Sequence, residues 1–186
     1  LSEIYGVVDL FAGPGGLGEG FASIEIDGRH PFQIAISVEK EESAHRTLRL
    51  RAFIREITRK TGGLPPEYID FHSGRRPEPI WSELDAAAWE VANAESRCLE
   101  LGDPRTTAIL DLEIDRLHSG KSADAVLIGG PPCQAYSLVG RSRSRGVKGY
   151  RPEEDPRHFL FREYIRVLER LRPAAFVLEN VKGVLS

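Results

Sequence analysis

An open α/β fold, a mostly parallel sheet with helices packed on it, is what the 186-residue sequence predicts. Three observations carry that expectation. Short apolar runs, partly β-branched, stand at residues 4–10, 32–38, 124–128 and 174–178. Segments with apolar residues at helical spacing separate them. Each run also stops in glycine, proline or polar residues, as strands do where open α/β sheets present their carboxyl ends to ligands.

The first run, Ile4 to Leu10, reads as a strand that enters Phe11-Ala12-Gly13-Pro14-Gly15-Gly16-Leu17-Gly18. A helix then carries Leu17, Phe21 and Ile24 on one face. Strand, glycine turn and helix form the first half of a nucleotide-binding unit, because glycines allow a ligand close to the backbone. The second strand, Phe32 to Val38, ends at Glu39, where a carboxylate can accept from ribose hydroxyls. Gly13, Gly15 and Gly18 equally satisfy the G-x-G-x-x-G spacing of dinucleotide enzymes. A ligand-free turn, with Glu39 as a solvated strand-end carboxylate, also remains open at this point.

A second helix is expected from Ser43 to Arg59, with Ala44, Leu48, Ala52 and Ile54 inward. Its five arginines read as a solvated face rather than a nucleic-acid site. Between residues 61 and 120 a helical insertion is expected. Trp81, Leu84, Ala88, Trp89 and Ala92 recur at helical spacing, as do Ile109, Leu112 and Leu117, and no third strand is legible. The two tryptophans and Cys98 read as packing residues.

Asp124 to Ile128 reads as a buried strand that runs into Gly129-Gly130-Pro131-Pro132-Cys133-Gln134-Ala135-Tyr136-Ser137. Two glycines and two prolines stop the strand and fix the backbone that follows. A cysteine at such a strand end suits a thiolate nucleophile, although a free cysteine is also a common small core residue. Residues 138–151 then hold five basic residues, Arg141, Arg143 and Arg145 among them, and no acidic one. Arginine interspersed with serine suits phosphate contacts, and equally a solvated loop. A helix from Arg157 to Arg170 presents Leu160, Phe161, Tyr164, Ile165 and Leu168, and a last strand ends in Glu179-Asn180-Val181.

Bulk composition, 41% hydrophobic and 28% charged, is that of a folded globular chain. No apolar run reaches the length of a membrane span. Cys98 and Cys133 form neither a disulfide framework nor a metal-ligand cluster, which points to a reducing, cytoplasmic setting. The net charge of −3 demands that any nucleic-acid contact be local. There is no methionine, so the chain is expected to be a piece of a longer protein.

Taken together, Asp9 to Gly16, Pro131 to Gln134 and Glu179 to Val181 resemble the Asp-Leu-Phe-x-Gly-x-Gly-Gly, Pro-Pro-Cys-Gln and Glu-Asn-Val motifs of the DNA cytosine-5 methyltransferases. The likeness runs from about residue 4 to the end, apart from about 61–120. It implies a Rossmann-like S-adenosylmethionine-dependent methyltransferase fold, cut short on the C-terminal side and without a target recognition domain. It implies S-adenosyl-L-methionine as cofactor, held by Phe11, Ala12, Gly13, Pro14, Gly15, Gly16, Glu39, Pro132 and Leu160. Cys133 is then the nucleophile and Glu179 the acid at the base. Gln134, Ser137, Arg141, Arg143, Arg145 and Asn180 are then expected against double-stranded DNA, with no metal and no membrane. An acidic residue after the third strand, expected in the family, has no clear counterpart. An exposed apolar sheet edge, favouring self-association, is a further expectation. Methylation of RNA, a non-catalytic relative and a nicotinamide-dependent dehydrogenase are the rival readings.

Overall fold

The computed structural model describes residues 4–120, 124–130 and 156–179. Five strands, β1 (Tyr5–Leu10), β2 (Phe32–Glu39), β3 (Ser96–Cys98), β4 (Asp124–Gly129) and β5 (Ala175–Leu178), lie in the order β3-β2-β1-β4-β5. Every pairing is parallel. The chain order reverses direction at β1, so the loops after β1, β2 and β4 meet at one edge, where such sheets bind ligands.

β1 is central, and both its faces are covered: Val7, Val8, Asp9 and Leu10 are all 1% exposed or less. Alternation sends Val8 and Leu10 to one side and Val7 to the other. On the first side α6 (Pro104–Ser119) and α7 (Pro156–Leu171) bury Leu110, Ile114, Tyr164, Val167 and Leu171 against Leu10, Ile36, Val38 and Leu127. On the second, Leu17 and Phe21 of α1 (Gly16–Ala22) pack with Phe32 and Ile34 around Val7, Val126 and Ile128. The helix α2 (Glu42–Thr61) starts at Glu41, whose side chain accepts from the Ala44 N–H, and stops at left-handed Gly62. Its Ala52, Phe53 and Ile57 meet Trp81 of α4 (Trp81–Leu84) and Ala88 and Ala92 of α5 (Ala86–Glu95). Burying an aromatic such as Phe53 contributes about 2–3 kcal/mol. Both tryptophans are packing residues, as expected.

The structure departs from the sequence expectation in four places. The stretch 61–120 is not helical throughout, because it contains β3 besides α3 (Pro66–His72), α4, α5 and α6. This strand is three residues at the sheet edge, made by backbone pairing to Ser37–Glu39 rather than by an apolar run. The periodic run from Trp81 to Ala92 is two helices, since Asp85 caps α5 through its side chain and the Ala88 N–H. Cys98 is exposed, because it ends that edge strand. Leu112 and Ile24 point outward, 63% and 38% exposed.

Arg46, Arg49, Arg55 and Arg59 of α2 are engaged within the protein, and so is Lys60. Arg46 pairs with Glu78, Arg55 with Glu19 and Glu95, and Lys60 with Asp85. The Arg49 guanidinium lies 4.6 Å over the Trp89 ring. The described sheet ends on β5, where Phe176 and Val177 are 55% and 38% exposed, matching the expected apolar edge. Among the described residues no helix is long and apolar enough to cross a membrane.

Candidate functional site

Parallel pairing brings five loop entries to one edge: Phe11 after β1, Glu39 at the end of β2, Leu99 after β3, Gly130 after β4 and Glu179 after β5. Four of these entries, with Val38, Lys40, Leu101 and Leu160, line a cavity of about 210 Å³. Of the residues expected at the cofactor, Phe11, Glu39 and Leu160 are therefore wall residues. Ala12, Gly13, Pro14, Gly15 and Gly16 form the turn that leads from Phe11 into α1.

That turn is held in a shape few residues tolerate. Phe11 has φ +58°, a left-handed backbone that costs a non-glycine residue about 1 kcal/mol or more. Its neighbour Ala12 donates its N–H to the Val38 carbonyl at 3.1 Å, and Gly15 donates to the Ala12 carbonyl at 2.9 Å. A Cβ on Gly15 would stand 2.7 Å from Leu48 Cδ1, with φ already at +87°. Glu39 closes the arrangement. Its Oε2 accepts from the Gly13 N–H at 2.9 Å and its Oε1 from the Glu41 N–H at 2.7 Å. Sequence reasoning assigned Glu39 a ligand contact and missed this bracing of the glycine turn. Each carboxylate oxygen keeps a lone pair, so both roles are compatible.

The acidic residue expected after the third strand is not in the cavity wall among the described residues. Leu99 and Leu101 face the cavity, while Glu100 between them turns outward to Lys40 at 3.2 Å. Asp103 caps α6 by accepting from the Arg105 N–H.

Two buried features escaped the sequence reading. Asp9 is 1% exposed and, among the described residues, neither of its carboxyl oxygens has a hydrogen-bond partner. Burial, with the Glu95 and Glu39 carboxylates adding to it, pushes its pKa up to about 7. The signal was visible as one carboxylate inside Val7-Val8-Asp9-Leu10. The second feature is Arg55, bonded to Glu19 of α1 and to Glu95 at the end of α5. Burial opposes its charge, but these carboxylates hold the guanidinium protonated. Burial in turn pushes the Glu95 carboxyl upward.

The tips of β4 and β5 touch. Glu179 donates its N–H to the Gly129 carbonyl at 2.9 Å, and a Cβ on Gly130 would lie 3.0 Å from the Glu179 carbonyl oxygen. The Glu179 side chain is exposed. Cys133, Pro132, Gln134, Ser137, Arg141, Arg143, Arg145 and Asn180 lie outside the described residues. Gly129 itself admits no side chain, since a Cβ there would be 2.2 Å from the backbone oxygen of Leu10. Gly129→Ala is expected to cost about 3 kcal/mol, because β1 and β4 must separate to relieve a backbone clash. Urea denaturation checks it; a midpoint equal to wild type would show that the strand tips yield freely.

The chain can now be compared with known proteins. The model of the C-5 cytosine-specific DNA methylase family matches residues 80–186. The chain is 34% identical to the type II methyltransferase M.Bpa9945I of Bacillus paralicheniformis, over 97% of its own length and 41% of that protein's. It is 45% identical to the type II methyltransferase M1.HphI of Haemophilus parahaemolyticus, over 96% of the chain and 33% of that protein. With the type II methyltransferase M.AquIA of Picosynechococcus the figures are 27%, 97% and 50%. The chain thus spans half or less of the length of these relatives. A five-stranded parallel sheet, a braced glycine turn and a family match over more than half the chain agree: the protein belongs to the C-5 cytosine-specific DNA methylases.

Proposed function

We propose that this chain carries the cofactor site and the nucleophile of a DNA cytosine-5 methyltransferase that uses S-adenosyl-L-methionine and acts on a flipped cytosine in double-stranded DNA. The observation that carries the reading is the place of Gly130. It forms part of the wall of the strand-tip cavity and packs against Glu179, and Cys133 follows three residues later. Cofactor cavity and proposed acid thus meet at a residue three positions before the proposed nucleophile.

The residues present fit the cofactor. Phe11, Leu99, Leu101 and Leu160 offer an apolar slot for a planar base, and Glu39 offers acceptors for hydroxyls. When bound, S-adenosylmethionine supplies an electrophilic methyl group on a cationic sulfur. The chain's own residues make the cytosine able to take it. The Cys133 thiolate adds to C6 while the Glu179 carboxyl donates a proton at N3, which places an electron pair at C5. That pair would take the methyl carbon, whose bond to sulfur would break with its electrons returning to the sulfur. Loss of the C5 proton to water would then expel the thiolate, and N3 would return its proton to the Glu179 carboxylate, restoring both ring and acid. Duplex DNA hides C5 and C6 in the stack, so the base must turn outward.

Pro132 is assigned to the cofactor side, and Gln134, Ser137, Arg141, Arg143, Arg145 and Asn180 to the DNA side. Self-association through the exposed side chains of β5 belongs to the same proposal, as does a cytoplasmic setting. Calorimetry tests the cofactor: S-adenosylmethionine is expected to bind this chain weakly and NAD not at all. Methyl transfer from labelled S-adenosylmethionine to cytosine-containing duplex is expected from the full-length parent and not from the 186-residue chain. Binding of NAD in preference, or transfer to RNA but not to DNA by the parent, would refute the reading.

A further inference from the structure

We propose that the groove between α1, α2 and α3, whose Arg51 reaches the N-terminal end of α1, binds a small amphiphilic anion. The ligand is an apolar, ring-sized body with one carboxylate, sulfonate or phosphate head. This inference does not draw on the methyl-transfer reading.

The groove is larger than the strand-tip cavity, about 620 Å³ against about 210 Å³. Its volume is in the range of about 300–1,000 Å³ usual for small-molecule sites. Its body is apolar and aromatic, with Leu50 and Ile54 from α2, Ala22 from α1, and Tyr68 and Phe71 from α3. Such walls favour a ring over a flexible polar chain.

Charge selects the head group. Three arginines and one carboxylate, Glu19, line the groove. Glu19 is taken by Arg55, which also holds Glu95. Arg59 donates to the Ala22 carbonyl at 2.8 Å and lies 3.8 Å from Glu56. Among the described residues Arg51 has neither an ion pair nor a hydrogen bond. His30, with Nδ1 at 3.0 Å from the Ile24 carbonyl, and His72, stacked on Tyr68, are neutral or cationic and repel no anion. The groove therefore presents one uncommitted cation beside an apolar chamber. A nucleic-acid backbone would need a row of free cations. The other basic residues of α2 do not supply one, since Arg46, Arg55 and Lys60 are paired with acids.

The test uses anilinonaphthalene sulfonate, an aromatic body with one sulfonate, and the uncharged anilinonaphthalene as its control. Titration of the purified chain by fluorescence is expected to show one saturable site for the sulfonate. Binding should be at least about tenfold weaker for the uncharged dye and for Arg51→Glu, the loss of a single charge–charge contact. Thr47→Trp, at an exposed lining position, should fill the groove and abolish binding while circular dichroism stays unchanged. Phe176→Ser should leave the dye bound, and so should excess S-adenosylmethionine. Equal affinity for the two dyes, indifference to Arg51→Glu, loss with Phe176→Ser, or displacement by S-adenosylmethionine would each overturn the assignment.

Discussion

Cys133→Ala in the full-length parent should lower methyl transfer to duplex DNA by about 10⁴-fold or more, with S-adenosylmethionine affinity within about threefold of wild type. The size of the effect follows from the chemistry. Cytosine C5 has little nucleophilic character until a thiolate has added at C6, and no other group in the proposal forms that bond. Removing the sole covalent group therefore removes the route, not one contribution among several. Glu179→Gln should fall far less, because an amide still donates a hydrogen bond to N3. A trapped adduct separates nucleophile from bystander. With fluorine in place of the C5 proton, the last step would require fluorine to leave as a cation, so the Cys133–C6 bond should persist through denaturing electrophoresis. The wild-type parent should show that band and Cys133→Ala should not. Retention of transfer within tenfold of wild type, or an adduct in the alanine variant, would move the nucleophile elsewhere.

The sequence makes the centre of this fold plain and its edges obscure, for a physical reason. β1, β2 and β4 are covered on both faces, so they must be apolar runs, and such runs can be seen without knowing their partners. β3 is Ser-Arg-Cys at the rim, formed only because β2 offers free backbone groups, and no local pattern announces it. Cys98 was misread for the same reason: cysteine is usually buried, but an edge strand has an open side. The glycine turn was legible because its geometry demands glycine locally. Glu39's hold on Gly13 spans 26 residues and becomes visible only when β2 lies beside β1. Likewise, the arginines of α2 are obvious as charges. What they do depends on Glu78, Asp85 and Glu95, which arrive from α4, α5 and their flanks.

Asp9→Asn is expected to stabilise the chain at pH 8 and to do so far less at pH 4.5, an inversion of the usual cost of altering a buried residue. The unfolded carboxyl titrates near 3.8 and the folded one at about 7. Below the lower value both states carry the proton. Between the two, the folded state keeps a proton that the unfolded state has released, so stability falls as pH rises. Above about pH 7 both are ionised and the loss is complete. Three pKa units correspond to at most about 4 kcal/mol. The ionised form is costly because neither oxygen has a donor among the described residues and Glu95 and Glu39 add repulsion. Asparagine carries no charge at any pH, so its curve should lack this slope. A gain on the order of 2 kcal/mol at pH 8 would raise the melting temperature by about 4–8 °C in a chain of this size. Other groups titrate in the same window, Glu95 among them, so the quantity to plot is the difference in melting temperature between variant and wild type. It should be about a quarter of its final value at pH 4.5, climb through pH 6 and level off above 7. A flat or negative difference at pH 8 would mean that the charged carboxylate is held in the folded protein, and that the root of the glycine turn is electrostatically satisfied rather than tense.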